Sequence, residues 1–351
     1  MIRKLEIIVG YSCNFRCSYC YEQCRSDSYD SRVMSSNIID LVNKRIDEYY
    51  HTKLNKDDTL QIIFFGGENL LHTRQINEII KGCCNKNILF RLVTNGSLVD
   101  KHKDIILHWQ DLLDNKLSVL VSYDYILQDI NRCKNTYDLV RNNILWLDRR
   151  YISISTNTTF TSGSESKIYD CFIDYTKLQK ELRHNKFKFR IGMDGYGDAI
   201  RYVNLEKLKE SLQNIQRYIF NNPEWKSSIS YKYGKVQGIC SRYHNCGLGD
   251  RVLGCIDYDG KMYPCQGFVY DKFKEVCSYG HISMDFDTLQ VNKLILLNKL
   301  NYSRRFKVCE ECSFLCKVCP LNTIKDKLEE FNGMPEPFHC RFCSEITKYL
   351  G

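Results

Sequence analysis

The chain alternates between short runs of apolar, often β-branched residues and longer stretches whose apolar positions recur every three or four residues. Residues 4–10 (KLEIIVG), 60–65 (LQIIFF), 88–96 (ILFRLVTNG), 116–124 (KLSVLVSYD), 151–160 (YISISTNTTF) and 187–194 (FKFRIGMD) read as strands. Helical spacing covers 36–50, 70–82, 100–109, 136–149, 166–183 and 204–220, between or after those strands. Such alternation predicts parallel βα units with right-handed crossovers. Six units predict an α/β fold, a partial (β/α)6 TIM-like barrel, with its chemistry in the loops at the C-terminal ends of the strands. A doubly wound open sheet is the alternative, because periodicity alone does not close a barrel. Polar and glycine-bearing features gather at those ends: a cysteine loop after the first strand, Gly66-Gly67-Glu68 after the second, Thr94-Asn95-Gly96 after the third, and Ser122 with Asp124 after the fourth.

Near residue 225 the texture changes. Eleven cysteines lie between Cys240 and Cys343, with little helical periodicity before 283, so we expect a domain at 1–225 and a smaller one at 226–351. A segment with so little core needs staples, and metal clusters supply them. The whole chain has 351 residues, 19 of them cysteine, and 43% hydrophobic content, enough to bury a large core. No long apolar run or export signal appears, which predicts a cytoplasmic protein without a membrane partner and favours metal ligation over disulfides. The formal charge of +8 raises the question of nucleic acid. Eleven cluster-bound thiolates and three cores of about +2 each would reduce it to about +3, so nucleic acid is not expected as a partner.

Cys13, Cys17 and Cys20 place three thiolates within eight residues directly after the first strand. Three ligands for a cluster that takes four leave one iron open for a substrate. A structural zinc site would want four ligands, and Cys24 is the candidate fourth. The CxxxCxxC spacing and Tyr21 after its last cysteine resemble the radical S-adenosylmethionine (SAM) superfamily. The resemblance implies a [4Fe-4S] cluster whose open iron binds SAM and passes an electron to its sulfonium. It also implies that Gly66, Gly67 and Glu68 form the superfamily's GGE motif, although Asn69 stands where proline is frequent. Ser122 would offer a hydroxyl to SAM, and the Tyr19 backbone would meet the adenine. The stretch Gln128-Asp129-Ile130-Asn131-Arg132 resembles anaerobic sulfatase-maturing enzymes, which implies that Arg132 pairs with the SAM carboxylate. Thr94-Asn95-Gly96 either shapes the pocket or is an ordinary turn.

Downstream, Cys246, Gly260, Cys265, the run Cys309, Cys312, Cys316, Cys319, and then Cys340 resemble the SPASM domain, an auxiliary-cluster extension of radical enzymes that modify peptides. By resemblance, Cys246, Cys265 and Cys319 hold one auxiliary [4Fe-4S] cluster, and Cys309, Cys312, Cys316 and Cys340 a second, making three clusters in all. The remaining ligand is Cys240, Cys255 or an open iron. A two-residue hairpin at Asp259-Gly260 would pair position 255 with 264 and turn Cys255 away from Cys265, which favours Cys240. The spacings within 309–319 are tighter than the usual pattern, and a zinc ribbon is the competing reading.

These features predict a maturase that abstracts hydrogen from a ribosomally made peptide and completes a net oxidation, giving a thioether or a carbon–carbon or carbon–oxygen crosslink. Sulfatase-type formylglycine formation is the alternative. It is disfavoured because those enzymes carry an aspartate after the cysteine matching Cys265, where this chain has Gln266. RNA modification and a non-catalytic cluster protein are further alternatives. Expected partners are a peptide with a leader and a reductant such as flavodoxin or ferredoxin. The first cluster lies so near residue 1 that a separate leader-binding protein, or the barrel surface, would have to recognise the leader.

Overall fold

The architecture follows from strand β1 (Ile2–Ile8), whose two edges are both paired. In this computed structural model, residues 1–20, 32–52, 57–161, 163–193, 204–231, 251–269 and 271–300 are described. On one side β1 runs parallel to β2 (Thr59–Phe65), which runs parallel to β3 (Ile88–Thr94). On the other side it runs parallel to β9 (Val252–Ile256). The remaining strands are β4 (Leu117–Ser122), β5 (Ser153–Asn157), β6 (Thr159–Phe160), β7 (Phe189–Met193), β8 (Ile229–Tyr231), β10 (Lys261–Tyr263) and β11 (Gly280–His281). The main sheet has the order β11-β10-β9-β1-β2-β3-β4-β5, and β6-β7-β8 make a separate parallel sheet. The parallel α/β plan is the expected one. The sheet stays open, because β9 fills the edge of β1 on which a closing strand would pair.

Helices α1 (Ser36–Thr52), α2 (Thr73–Cys83), α3 (Lys103–Leu112), α5 (Tyr137–Arg149), α6 (Ile168–Glu181) and α7 (Leu205–Asn221) match the predicted periodicity. Their apolar stripes are buried, as at Ile76, Ile79 and Ile80 of α2. The start of α7 is set by Asn204, whose side chain accepts from the Glu206 and Lys207 N–H groups at 3.1 Å each. A short α4 (Gln128–Asn131) follows β4. Beyond residue 250 the chain adds α8 (Asp271–Cys277) and α9 (Phe286–Leu300). Helix α8 escaped the periodic reading because seven residues make less than two turns, too few to display a period.

The single strand expected at 151–160 is broken at Thr158. Its hydroxyl donates to the Tyr123 carbonyl at 3.0 Å, and the Thr159 N–H turns to the Asp124 carboxylate at 3.0 Å instead of continuing a ladder.

The chain divides into two units. One comprises Met1–Arg16, Cys20–Leu120 and Tyr243–Asn301; the other comprises Cys17–Tyr19, Val121–Arg242 and Tyr302–Gly351. In the first unit the sheet is two-faced. Leu5, Ile7, Ile62, Phe64, Phe90 and Leu92 form an apolar, buried face, while Lys4, Glu6, Gln61 and Arg91 lie on the opposite, polar one. In the second unit a cluster of rings packs around Phe189, with Tyr125, Phe172 and Tyr175 at centroid distances of 5.6, 5.5 and 5.4 Å.

Candidate active site

The loop after β1 is shaped by backbone contacts before any ligand enters. Its entry and exit are stitched together: Gly10 bridges to Val33, and the Met34 N–H donates to the Val9 carbonyl at 2.8 Å. Gly66 and Gly67 then press onto the entry. The Gly67 N–H donates to the Gly10 carbonyl at 3.1 Å, and the Glu68 N–H to the Ser12 carbonyl at 2.8 Å. A Cβ at Gly66, whose φ is 123°, would fall 2.3 Å from the Gly10 oxygen, and one at Gly67 would fall 2.2 Å from that of Ser12. The glycines thus serve close approach, as the sequence suggests, and bring the backbone against the loop carrying Cys13.

Glu68 is fully buried and ties the second strand's end to the third. Its Oε1 accepts from the Leu70 N–H at 3.0 Å and the Thr94 hydroxyl at 2.7 Å, and its Oε2 accepts from the Asn95 N–H at 2.7 Å. Burial holds its pKa above the usual carboxylate value in spite of these donors. Little of its acceptor capacity is left for a ligand ammonium. Asn69, found where proline is frequent, donates to the Phe64 and Val93 carbonyls at 3.0 and 2.7 Å and so closes the ends of both strands. Thr94-Asn95-Gly96 serves the cysteine loop as well. The Asn95 amide donates to the Asn14 side chain at 2.8 Å, and Asn14 donates to the Ser97 hydroxyl at 2.9 Å.

The entry is fixed from another side too. The Tyr11 hydroxyl donates to the fully buried Asp257 carboxylate, which pairs with Lys274 at 2.7 Å. The guanidinium of Arg32 lies 5.1 Å from the centre of the Tyr11 ring. Beneath Gly10 sits the buried ring of His72, whose pKa burial lowers. Asn14, His72 and Asp257 carried no sequence signal, since each acts through partners distant along the chain.

In the other unit Cys17 is buried, and Arg132 Nη1 lies 3.8 Å from its sulfur. A cation there favours the thiolate, the form that ligates metal. Asp124, fully buried at the end of β4, gathers the surrounding groups. The Tyr19 hydroxyl donates to Oδ2 at 2.6 Å, Arg132 Nε lies 3.2 Å from the same oxygen, and Arg132 Nη2 donates to Oδ1 at 3.4 Å. The guanidinium also lies 5.2 Å from the centre of the Tyr19 ring. Burial carries the Tyr19 phenol well above its ordinary pKa, so it is a donor at any working pH. Ser122 sits half-buried at the end of β4. Asp124 was legible in sequence only as a strand end; its place as the hub was not.

Cys13 and Cys20 are half-buried, and with Cys17, whose sulfur faces Arg132, they give three soft donors within eight residues of sequence. That set fits an iron–sulfur cluster with three protein ligands. Residues 7–166 match the family described as the radical SAM superfamily. They are a radical SAM domain, and the protein is an enzyme. It is similar to the cysteine-type anaerobic sulfatase-maturating enzyme of Clostridium perfringens (strain 13 / Type A), 23% identical over 96% of this chain and 93% of the relative. The serine-type enzyme of Bacteroides thetaiotaomicron is 21% identical over 90% of this chain and 81% of its own length. Among solved structures, native anSMEcpe with bound AdoMet superposes with a TM-score of 0.71, covering 99% of this chain and 97% of that one at 18% identity, and so shares the fold.

Of the auxiliary ligands expected for this radical SAM enzyme, Cys240, Cys246, Cys309, Cys312, Cys316, Cys319 and Cys340 lie outside the described residues, as does Cys24. Cys265 is described, directly after β10. The hairpin before it differs from the expected one. Met262 pairs with Ile256 and Tyr263 with Cys255, while the Asp257 N–H donates to the Lys261 carbonyl and the Gly260 N–H to the Asp257 carbonyl, each at 2.9 Å. The loop is therefore Tyr258-Asp259-Gly260, three residues ending in a glycine with φ of 83°. This register turns Cys255 to the same side as Tyr263, the last residue of β10, so position 264 is not its partner. The strand-parity reason for setting Cys255 aside is gone.

Among the described residues, no helix is long and apolar enough to cross a membrane.

Proposed function

We propose that this radical SAM enzyme oxidises a cysteine or serine side chain of a peptide, in the manner its sulfatase-maturating relatives are named for. What carries this reading is the end-to-end similarity to both a cysteine-type and a serine-type enzyme, which reaches far beyond the radical SAM domain. When bound, the cluster at Cys13, Cys17 and Cys20 supplies the electron that splits SAM into methionine and a 5′-deoxyadenosyl radical. In this reading Arg132 and Tyr19 line the SAM site, Gly66, Gly67 and Glu68 hold the cysteine loop in shape, and Ser122 contributes a hydroxyl. Cys246, Cys265 and Cys319 would hold one auxiliary cluster, its remaining position taken by Cys240, Cys255 or an open iron, and Cys309, Cys312, Cys316 and Cys340 a second. Oxidation of the side chain would remove one hydrogen atom to 5′-deoxyadenosyl, one proton to a base and one electron that an auxiliary cluster would accept; a thioaldehyde formed from cysteine would then take up water and release hydrogen sulfide to give the aldehyde. A flavodoxin- or ferredoxin-like reductant supplies the first electron.

Gln266 favours a second reading, the peptide crosslinking maturase. An amide cannot take the proton that an aspartate at this position would. The test is mass spectrometry of a sulfatase-derived Cys or Ser peptide after anaerobic incubation with reconstituted enzyme, SAM and dithionite. An aldehyde product supports the first reading. 5′-Deoxyadenosine released with the peptide unchanged favours the second, and no 5′-deoxyadenosine at all rejects both.

A further inference from the structure

A carboxylate on the polar face of β1 reaches Gln266. Glu6 lies beside Cys255 in the parallel pairing of β1 with β9 and is only 6% exposed. Burying a carboxylate so deeply is costly unless donors replace its water. Gln266 supplies them twice over. Its backbone N–H donates to Glu6 Oε2 at 2.7 Å. Its side-chain amide, in the orientation that satisfies both groups, donates to Oε2 at 2.6 Å and Oε1 at 3.0 Å. A cation is anchored nearby. Lys293 of α9 donates to the carbonyls of Val252 and Leu253, at 3.0 and 2.6 Å, where the pairing of β1 with β9 shifts register.

We propose that Glu6 is a positioning residue that clamps Gln266 by both its backbone and its side chain, and thereby fixes the acceptor this enzyme offers to its peptide beside Cys265. The placement of peptide there rests on the function proposed above; the clamp itself does not. Gln266 opens the short turn Gln266–Val269 directly after Cys265, so holding its N–H fixes the start of that turn. With the amide nitrogen committed to Glu6, the group left to Gln266 is its carbonyl oxygen, which accepts but does not donate. The position therefore selects a neutral donor on the peptide, an amide N–H, hydroxyl or thiol, over a carboxylate.

Two measurements on the full-length, cluster-loaded enzyme separate the clamp from the function. Hydrogen exchange across residues 264–269, without peptide, should speed up by about tenfold in Glu6→Gln, the equivalent of one lost hydrogen bond. Unchanged exchange would overturn the clamp, whatever the enzyme's substrate. With a peptide that the wild type converts, Glu6→Gln and Gln266→Leu should each raise KM by about tenfold, with kcat falling less than about twofold. The double variant should be no worse than either single one. Additive losses, or a fall confined to kcat, would overturn the positioning role. A wild type that releases 5′-deoxyadenosine but converts no peptide rejects the proposed function and leaves the exchange result to decide the clamp.

Discussion

Glu68 and Asp124 are both fully buried carboxylates at the C-terminal ends of parallel strands, yet they are satisfied in different ways. Glu68 accepts from two backbone N–H groups and a hydroxyl, all neutral. Asp124 accepts from a backbone N–H and a phenol but also faces the guanidinium of Arg132. Neutral backbone donors make Glu68 a splint that joins two loops. A charged partner makes Asp124 one half of a buried ion pair, and the Arg132 face of that pair also reaches the Cys17 sulfur. The splint shapes the loop that carries Cys13, and the ion pair places charge beside Cys17.

The difference is sharpened first by deletion. Asp124→Ala leaves Arg132 buried without its counter-ion and should cost about 3–5 kcal/mol of stability, read by denaturant unfolding. Glu68→Ala strands neutral donors only and should cost about 1–3 kcal/mol in the same assay. If Glu68→Ala proves the more damaging, the distinction between splint and ion pair fails. Arg132→Lys keeps the charge but loses the fork, and should weaken SAM binding by about tenfold with smaller loss of stability. Equal SAM affinity would remove Arg132 from the site.

The smallest effect concerns pH. Because burial raises the pKa of Glu68, the folded state holds its proton more tightly than the unfolded chain does. The associated stability is complete below the unfolded carboxyl's pKa and is lost as pH rises through the raised one. Glu68→Gln should flatten that part of the stability–pH curve; an unchanged slope would contradict the assignment.

Much of the scaffold was legible because β1 to β4 and the intervening helices carry unambiguous periods. The cysteine loop was legible because its spacing is itself the chemistry. What stayed hidden depends on contacts between distant residues. The pairing of β1 with β9 joins positions some 250 residues apart, and no local pattern announces it. Gly66 and Gly67 announce a close approach, but nothing in their local sequence shows that the backbone of residues 10–12 is among what they meet. Asp259-Gly260 suggests a two-residue turn, whereas the Gly260 N–H bond to the Asp257 carbonyl adds Tyr258 to the loop and shifts the register by one. That one residue decides which way Cys255 faces.

The account rests most heavily on the three cysteines after β1 acting together as the seat of a cluster that cleaves SAM. Its most direct test is 5′-deoxyadenosine release by anaerobically reconstituted enzyme with SAM and dithionite, wild type against Cys17→Ala. The account predicts release from the wild type and none above background from the variant. Release by the variant at the wild-type rate would contradict it.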